Sequence, residues 1–174
     1  MIFGLSFATC VLLAADARGQ ATEEYRVKAA FLYNLTKFVG WPAQVIKGSR
    51  APIEICILGK DPFGSALAEA VNDKAIEGRP FSIRQIADVQ QAASCQILFV
   101  SASERKRLRP ILDVVRDGPV LTVGDTDGFA SEGGIVNFKI EAGRVRLQIN
   151  MVAAERARIG ISSKLLSLAE IVKK

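Results

Sequence analysis

The sequence predicts an α/β fold: a mainly parallel sheet flanked by helices, with a C-terminal antiparallel hairpin. Three observations carry this. Short aliphatic and β-branched runs at residues 53–59, 79–86, 95–101 and 119–124 alternate with segments of helical spacing. The runs at 53–59 and 95–101 are apolar almost throughout, as strands buried inside a layered α/β domain are. Near the end, residues 135–141 and 144–150 are separated only by Ala142-Gly143, a tight turn that sets two strands antiparallel.

The first helix is expected over residues 23–40. Thr22 offers an N-cap, and Glu23 and Glu24 put negative charge at the positive end of the helix. Val27, Phe31, Leu35 and Phe38 recur on one stripe, widened by Leu32 and Val39, with Arg26, Lys28 and Lys37 reaching water from its edges. Gly40 supplies a left-handed stop and Pro42 prevents continuation. Such a wide stripe covers a sheet face, or docks a partner with part of its length. A polar connector at residues 43–51 leads to the first strand, 53–59.

Asp61 then caps a helix that has Pro62 at its first position and runs to about Asn72. Residues 79–86 form the second strand, 89–93 a short helical link and 95–101 the third strand. Ser103 caps a helix to about Arg116, with Leu108, Ile111, Leu112 and Val115 inward, and 119–124 is the fourth strand. The hairpin follows. Residues 162–172 close the chain as a helix capped by Ser162, with Leu165, Leu168 and Val172 as its main stripe.

At 174 residues and 49% hydrophobic, the chain can bury a core as one domain over residues 22–174. Residues 1–21 read as a signal peptide: an apolar run, too short to span a bilayer, followed by small-x-small cleavage sites. Export to the periplasm is the expected consequence. The net charge of +5 is modest, and no aromatics interleave its densest basic run, residues 105–109, so no nucleic-acid partner is expected. There is no His, which excludes Ser-His and Cys-His catalysis and histidine metal sites.

With the leader gone, Cys56 and Cys95 are the remaining cysteines. They form either two buried thiols or one bridge closing a loop of about 39 residues, worth on the order of 3–4 kcal/mol.

Candidate chemistry is thin. The Gly59-Lys60-Asp61-Pro62-Phe63-Gly64 turn has the outer spacing of a phosphate loop but lacks its Gly-Lys-Ser/Thr ending. Asp125 and Asp127 follow the fourth strand, where open α/β sheets bind ligands, or else they cap a turn. Gly59, Lys60, Asp125 and Asp127 therefore make one alternative, a small-ligand site at the strand ends. A metal-dependent hydrolase at the two aspartates is another. No activated nucleophile is in sight, so a non-enzymatic binding protein, with no cofactor and no metal, is the leading expectation.

The run from Lys28 to Pro42, KAAFLYNLTKFVGWP, resembles the opening signature of the YfiR family of bacterial periplasmic regulators. The similarity continues through residues 56–64, 95–101, 121–138, 144–150 and 161–166, in order. It implies a periplasmic α/β repressor that binds the periplasmic domain of a membrane-bound diguanylate cyclase, lowering cyclic-di-GMP synthesis and biofilm formation. It also implies a homodimer and a disulfide between Cys56 and Cys95; no membrane insertion of the mature chain is expected, because no later segment is apolar for long enough to span. Some relatives carry a second cysteine pair around 125–140, which this chain lacks. The C-terminal stretch has more apolar residues than one face needs, so this helix and the hairpin are the expected contact surface, with Leu165, Leu166, Leu168 and Ile171 as the candidate partner-binding residues.

Overall fold

The computed structural model describes residues 9–43, 45 and 51–173, with side chains from Thr22 onward. Residues 1–8 of the expected leader lie outside the described residues, as does most of the 43–51 connector. In chain order the elements are α1 (Thr9–Leu35), β1 (Val39–Gly40), β2 (Ile53–Leu58), α2 (Ala66–Val71), β3 (Ala75–Ile76), β4 (Arg79–Ile86), β5 (Ile97–Val100), α3 (Leu108–Val115), β6 (Leu121–Gly124), β7 (Val136–Glu141), β8 (Arg144–Asn150), α4 (Met151–Arg156), β9 (Gly160–Ile161), α5 (Ser163–Leu166) and β10 (Ala169–Val172). Two 3-10 turns, Val89–Ser94 and Ala102–Arg107, precede β5 and α3.

Eight strands form one sheet in the order β10-β8-β7-β6-β5-β2-β4-β3. The central pairs β4–β2, β2–β5, β5–β6 and β6–β7 are parallel, and β7–β8 is the antiparallel hairpin. Its turn holds Ala142 and Gly143 at φ 48° and 71°, the left-handed pair a two-residue hairpin requires. The central strands β2, β5 and β6 are almost wholly apolar and buried because both of their faces are covered. Ile55, Ile57, Ile97 and Phe99 share one core with Leu32 and Leu35 of α1 and Leu67 of α2. Cys56, Leu58, Leu98 and Val100, one residue out of phase, share the other with Leu108, Ile111, Leu112 and Val115 of α3.

Three local expectations are corrected. First, α1 does not start at Thr22; it continues back to Thr9 and ends at Leu35. Backbone bonds from Lys37 N to Asn34 O and from Phe38 N to Leu35 O close a turn. Val39 and Gly40 then pair with Ile161 and Gly160, so Gly40 is a strand residue and not a left-handed stop. The Trp41 indole donates to the Gln96 carbonyl at 3.2 Å, tying this exit to the start of β5.

Second, Asp61 caps a turn by accepting from Phe63 N at 2.7 Å, and α2 begins only after Ser65. Ser101, in place of Ser103, caps the turn leading into α3.

Gly134 and Gly124 allow close packing against the Phe129 ring. A Cβ at Gly134 would lie 2.1 Å from a carbon of that ring, and one at Gly124 would lie 2.4 Å from it.

Third, the closing helix is only Ser163–Leu166, capped by the Ser162 hydroxyl. Residues 169–172 instead extend the sheet, Ala169 opposite Leu147 and Val172 opposite Asn150. Helical spacing of Leu165, Leu168 and Val172 was misleading because β8 would otherwise be an unpaired edge, and pairing it outweighs local propensity.

Candidate functional site

Two features stand out near α1: a buried charge cluster under its middle, and an apolar groove beside its C-terminal end. Lys28, expected at the water's edge, is buried. Its ammonium lies 2.8 Å from Asp125 Oδ2, with side chains only 3% and 2% exposed. Glu24, one turn earlier on α1, also pairs with Lys28. The Tyr25 hydroxyl donates to Asp125 Oδ2 at 2.7 Å. Asp125 follows β6 directly, so the cluster bolts the middle of α1 to the carboxyl end of a central strand. Tyr25 also packs edge-on against Phe63, which packs edge-on against Phe99.

Burial, together with the Asp125 carboxylate, holds the Tyr25 phenol well above its ordinary value near 10.0. The sign follows. The folded state keeps the proton where the unfolded chain releases it, so this contribution is complete below about pH 10 and is lost as pH rises beyond it. In alkaline denaturation followed by circular dichroism, the native protein should lose stability more steeply above pH 10 than Tyr25→Phe. Parallel curves would show that the phenol is not tied to folding.

The four residues of the expected ligand site are not gathered in one pocket. Gly59 and Lys60 line an open cleft with Gln85, Ser103 and Glu104. Asp125 and Asp127 are absent from its lining; the first is engaged by Lys28 and Tyr25, and the second is exposed. Of the two aspartates of the hydrolase alternative, Asp125 is buried in an ion pair and Asp127 is exposed.

The groove has a volume of about 320 Å³ and is mostly apolar. Phe31, Leu35 and Phe38 form one wall, Val145 and Leu147 of β8 another, and Leu165 and Leu168 the third. Of the candidate partner-binding residues, Leu165 is buried at its base and Leu168 stands 70% exposed. Leu166 packs against the core, and Ile171 lies outside the groove on the edge strand β10. The hairpin was expected to share the contact surface, but Val145 and Leu147 of β8 were not singled out within it. The rim is basic: Arg146 lines the groove, and Lys164 lies over the Phe38 ring at 5.6 Å.

Cys56 and Cys95 form a disulfide with Cα atoms 5.9 Å apart, joining β2 to the entry of β5. Arg84 lies against it, with Nη2 at 3.8 and 3.7 Å from the two sulfurs, 2.7 Å from Ser94 Oγ, and Nε 2.8 Å from Glu54. Glu54 and the two sulfurs lie close enough to suggest a metal group. Both sulfurs are consumed in the bridge, so they are not available as thiolates. Among the described residues, no helix is long and apolar enough to cross a membrane.

A family model described as YfiR/HmsC-like matches residues 25–170. Among solved structures, the chain is similar to a conserved domain protein from Vibrio cholerae O1 biovar El Tor strain N16961, with 14% identity and a TM-score of 0.53 over 70% of this chain and 55% of that one. It is also similar to an ABC domain in complex with L-Trp from Streptococcus pneumoniae, with 10% identity and a TM-score of 0.51 over 68% of this chain and 55% of that one. At these identities the likeness shows the fold alone, and the match spans only 55% of each of those chains. No curated protein matches the sequence.

Proposed function

The chain belongs to the YfiR/HmsC-like family, and from that premise we propose that it is a periplasmic, non-catalytic regulator that represses a membrane-bound diguanylate cyclase by binding the cyclase's periplasmic domain. Repression would lower cyclic-di-GMP synthesis and biofilm formation, with a homodimer as the acting form. Family membership across residues 25–170 is the observation that carries the reading. The disulfide supports an oxidising compartment. A repressor of this kind needs no chemistry of its own: it binds one conformation of its partner more tightly and shifts the population toward it.

The proposed contact surface is the groove and the exposed Leu168 at its edge. Its apolar walls and basic rim suit a partner segment that is apolar with acidic flanks. Leu168→Glu should leave the fold intact, since the side chain is 70% exposed. It should weaken co-purification with the cyclase from membranes about 10- to 100-fold, the loss expected for one well-buried Leu at an interface. Unchanged capture by a folded Leu168→Glu protein would reject this surface.

A further inference from the structure

The side chain of Arg79, the first residue of β4, has no hydrogen-bond or ion-pair partner among the described residues. Its Nε and Nη1 are shielded from solvent and neither finds an acceptor. A guanidinium cannot escape by losing its proton, so two buried donors of a permanent cation call for an anionic partner. Arg79 lines a pocket of about 280 Å³ over the amino ends of β2 and β5, together with Glu54, Ser82, Ser94 and Gln96. This is the opposite end of those strands from Asp125.

The pocket's carboxylate and amide are already engaged. Glu54 receives Arg84 at 2.8 Å through one oxygen and the Ser94 hydroxyl at 3.2 Å through the other. Gln96 accepts from Glu54 N at 2.7 Å and donates to the Ser94 carbonyl at 3.3 Å, so its amide is fixed as well. With Arg79 and Arg84 against Glu54 alone, the group carries one uncompensated positive charge.

We propose that this pocket binds a small oxyanion, a carboxylate or phosphate group, paired to Arg79, with the Ser82 hydroxyl able to complete its hydrogen bonds. The proposal is independent of cyclase repression. Inorganic phosphate and acetate are the probes, each titrated into the full mature protein in chloride buffer at constant ionic strength.

One of them should raise the thermal midpoint saturably, by roughly 5–10 °C at a hundredfold excess over Kd. It should also move the Arg79 Nε–H resonance, a readout that needs no variant. Arg79→Gln should weaken the response at least about tenfold. Ser82→Leu, which fills the pocket and spares Arg79, should do likewise. Response to phosphate alone assigns a phosphoryl group, and response to acetate alone a carboxylate. An unmoved Arg79 resonance with both probes, or equal midpoint shifts in the native protein and the folded variants, overturns the proposal.

Discussion

Lys28→Met should destabilise the fold by about 3–5 kcal/mol, the range for removing one partner of a buried ion pair. Methionine keeps most of the stem, so the loss reports the charge and not a cavity. The Asp125 side chain is 2% exposed, and its Oδ1 has no hydrogen-bond partner among the described residues. Without the ammonium, Oδ2 would keep only the Tyr25 hydroxyl, leaving an anion far from water with one donor. Glu24 does not suffer equally, because its side chain is 32% exposed and can turn to solvent.

The double variant Lys28→Met, Asp125→Leu separates pairing from packing. Removing both charges should recover much of the loss, since the residual charge, more than the missing attraction, is what destabilises. Urea midpoints at constant slope would measure both. A single-variant loss below about 1 kcal/mol would mean that water reaches Asp125 and that α1 is not bolted there.

Removing the Cys56–Cys95 bridge should have the second-largest effect. It spans a sequence separation of 39, and freeing a loop of that size costs about 3–4 kcal/mol in the chain-entropy model. For a domain of this length that lowers the thermal midpoint by roughly 6–16 °C. Cys56→Ala with Cys95→Ala, or the native chain under reductant, should show it by calorimetry. Both cysteines are buried, 0% and 1% exposed, so slow reduction of the folded protein is also expected. A midpoint unchanged in the double variant would show that the two cores hold β2 and β5 together unaided.

The strands were legible because their signal is local. Ile53–Leu58 and Ile97–Val100 are apolar at every or nearly every position, and only burial on both faces asks for that. The hairpin was legible because Ala142-Gly143 leaves no room for another connection. What failed depended on distant partners. Lys28 looked like a solvated edge residue because nothing within a few turns marks it for burial; Asp125 lies 97 positions away. Asp125 itself was noticed, but as a ligand candidate, since a lone carboxylate after a strand looks the same whether it meets a ligand or a lysine. Residues 162–172 satisfied helical spacing and a cap, and only the open edge of β8 decides otherwise. For the groove, Leu165 and Leu168 were found from their own stretch, while Val145 and Leu147 needed the hairpin to fold against α1.

Repression itself is tested most directly by cyclase activity. Membranes carrying the cognate cyclase would be incubated with GTP and increasing amounts of the purified mature chain, and cyclic-di-GMP quantified. The account predicts a saturable fall in synthesis with the native protein and little or none with folded Leu168→Glu. Synthesis that stays constant as the native protein is added, although it reaches the periplasmic face, would contradict it.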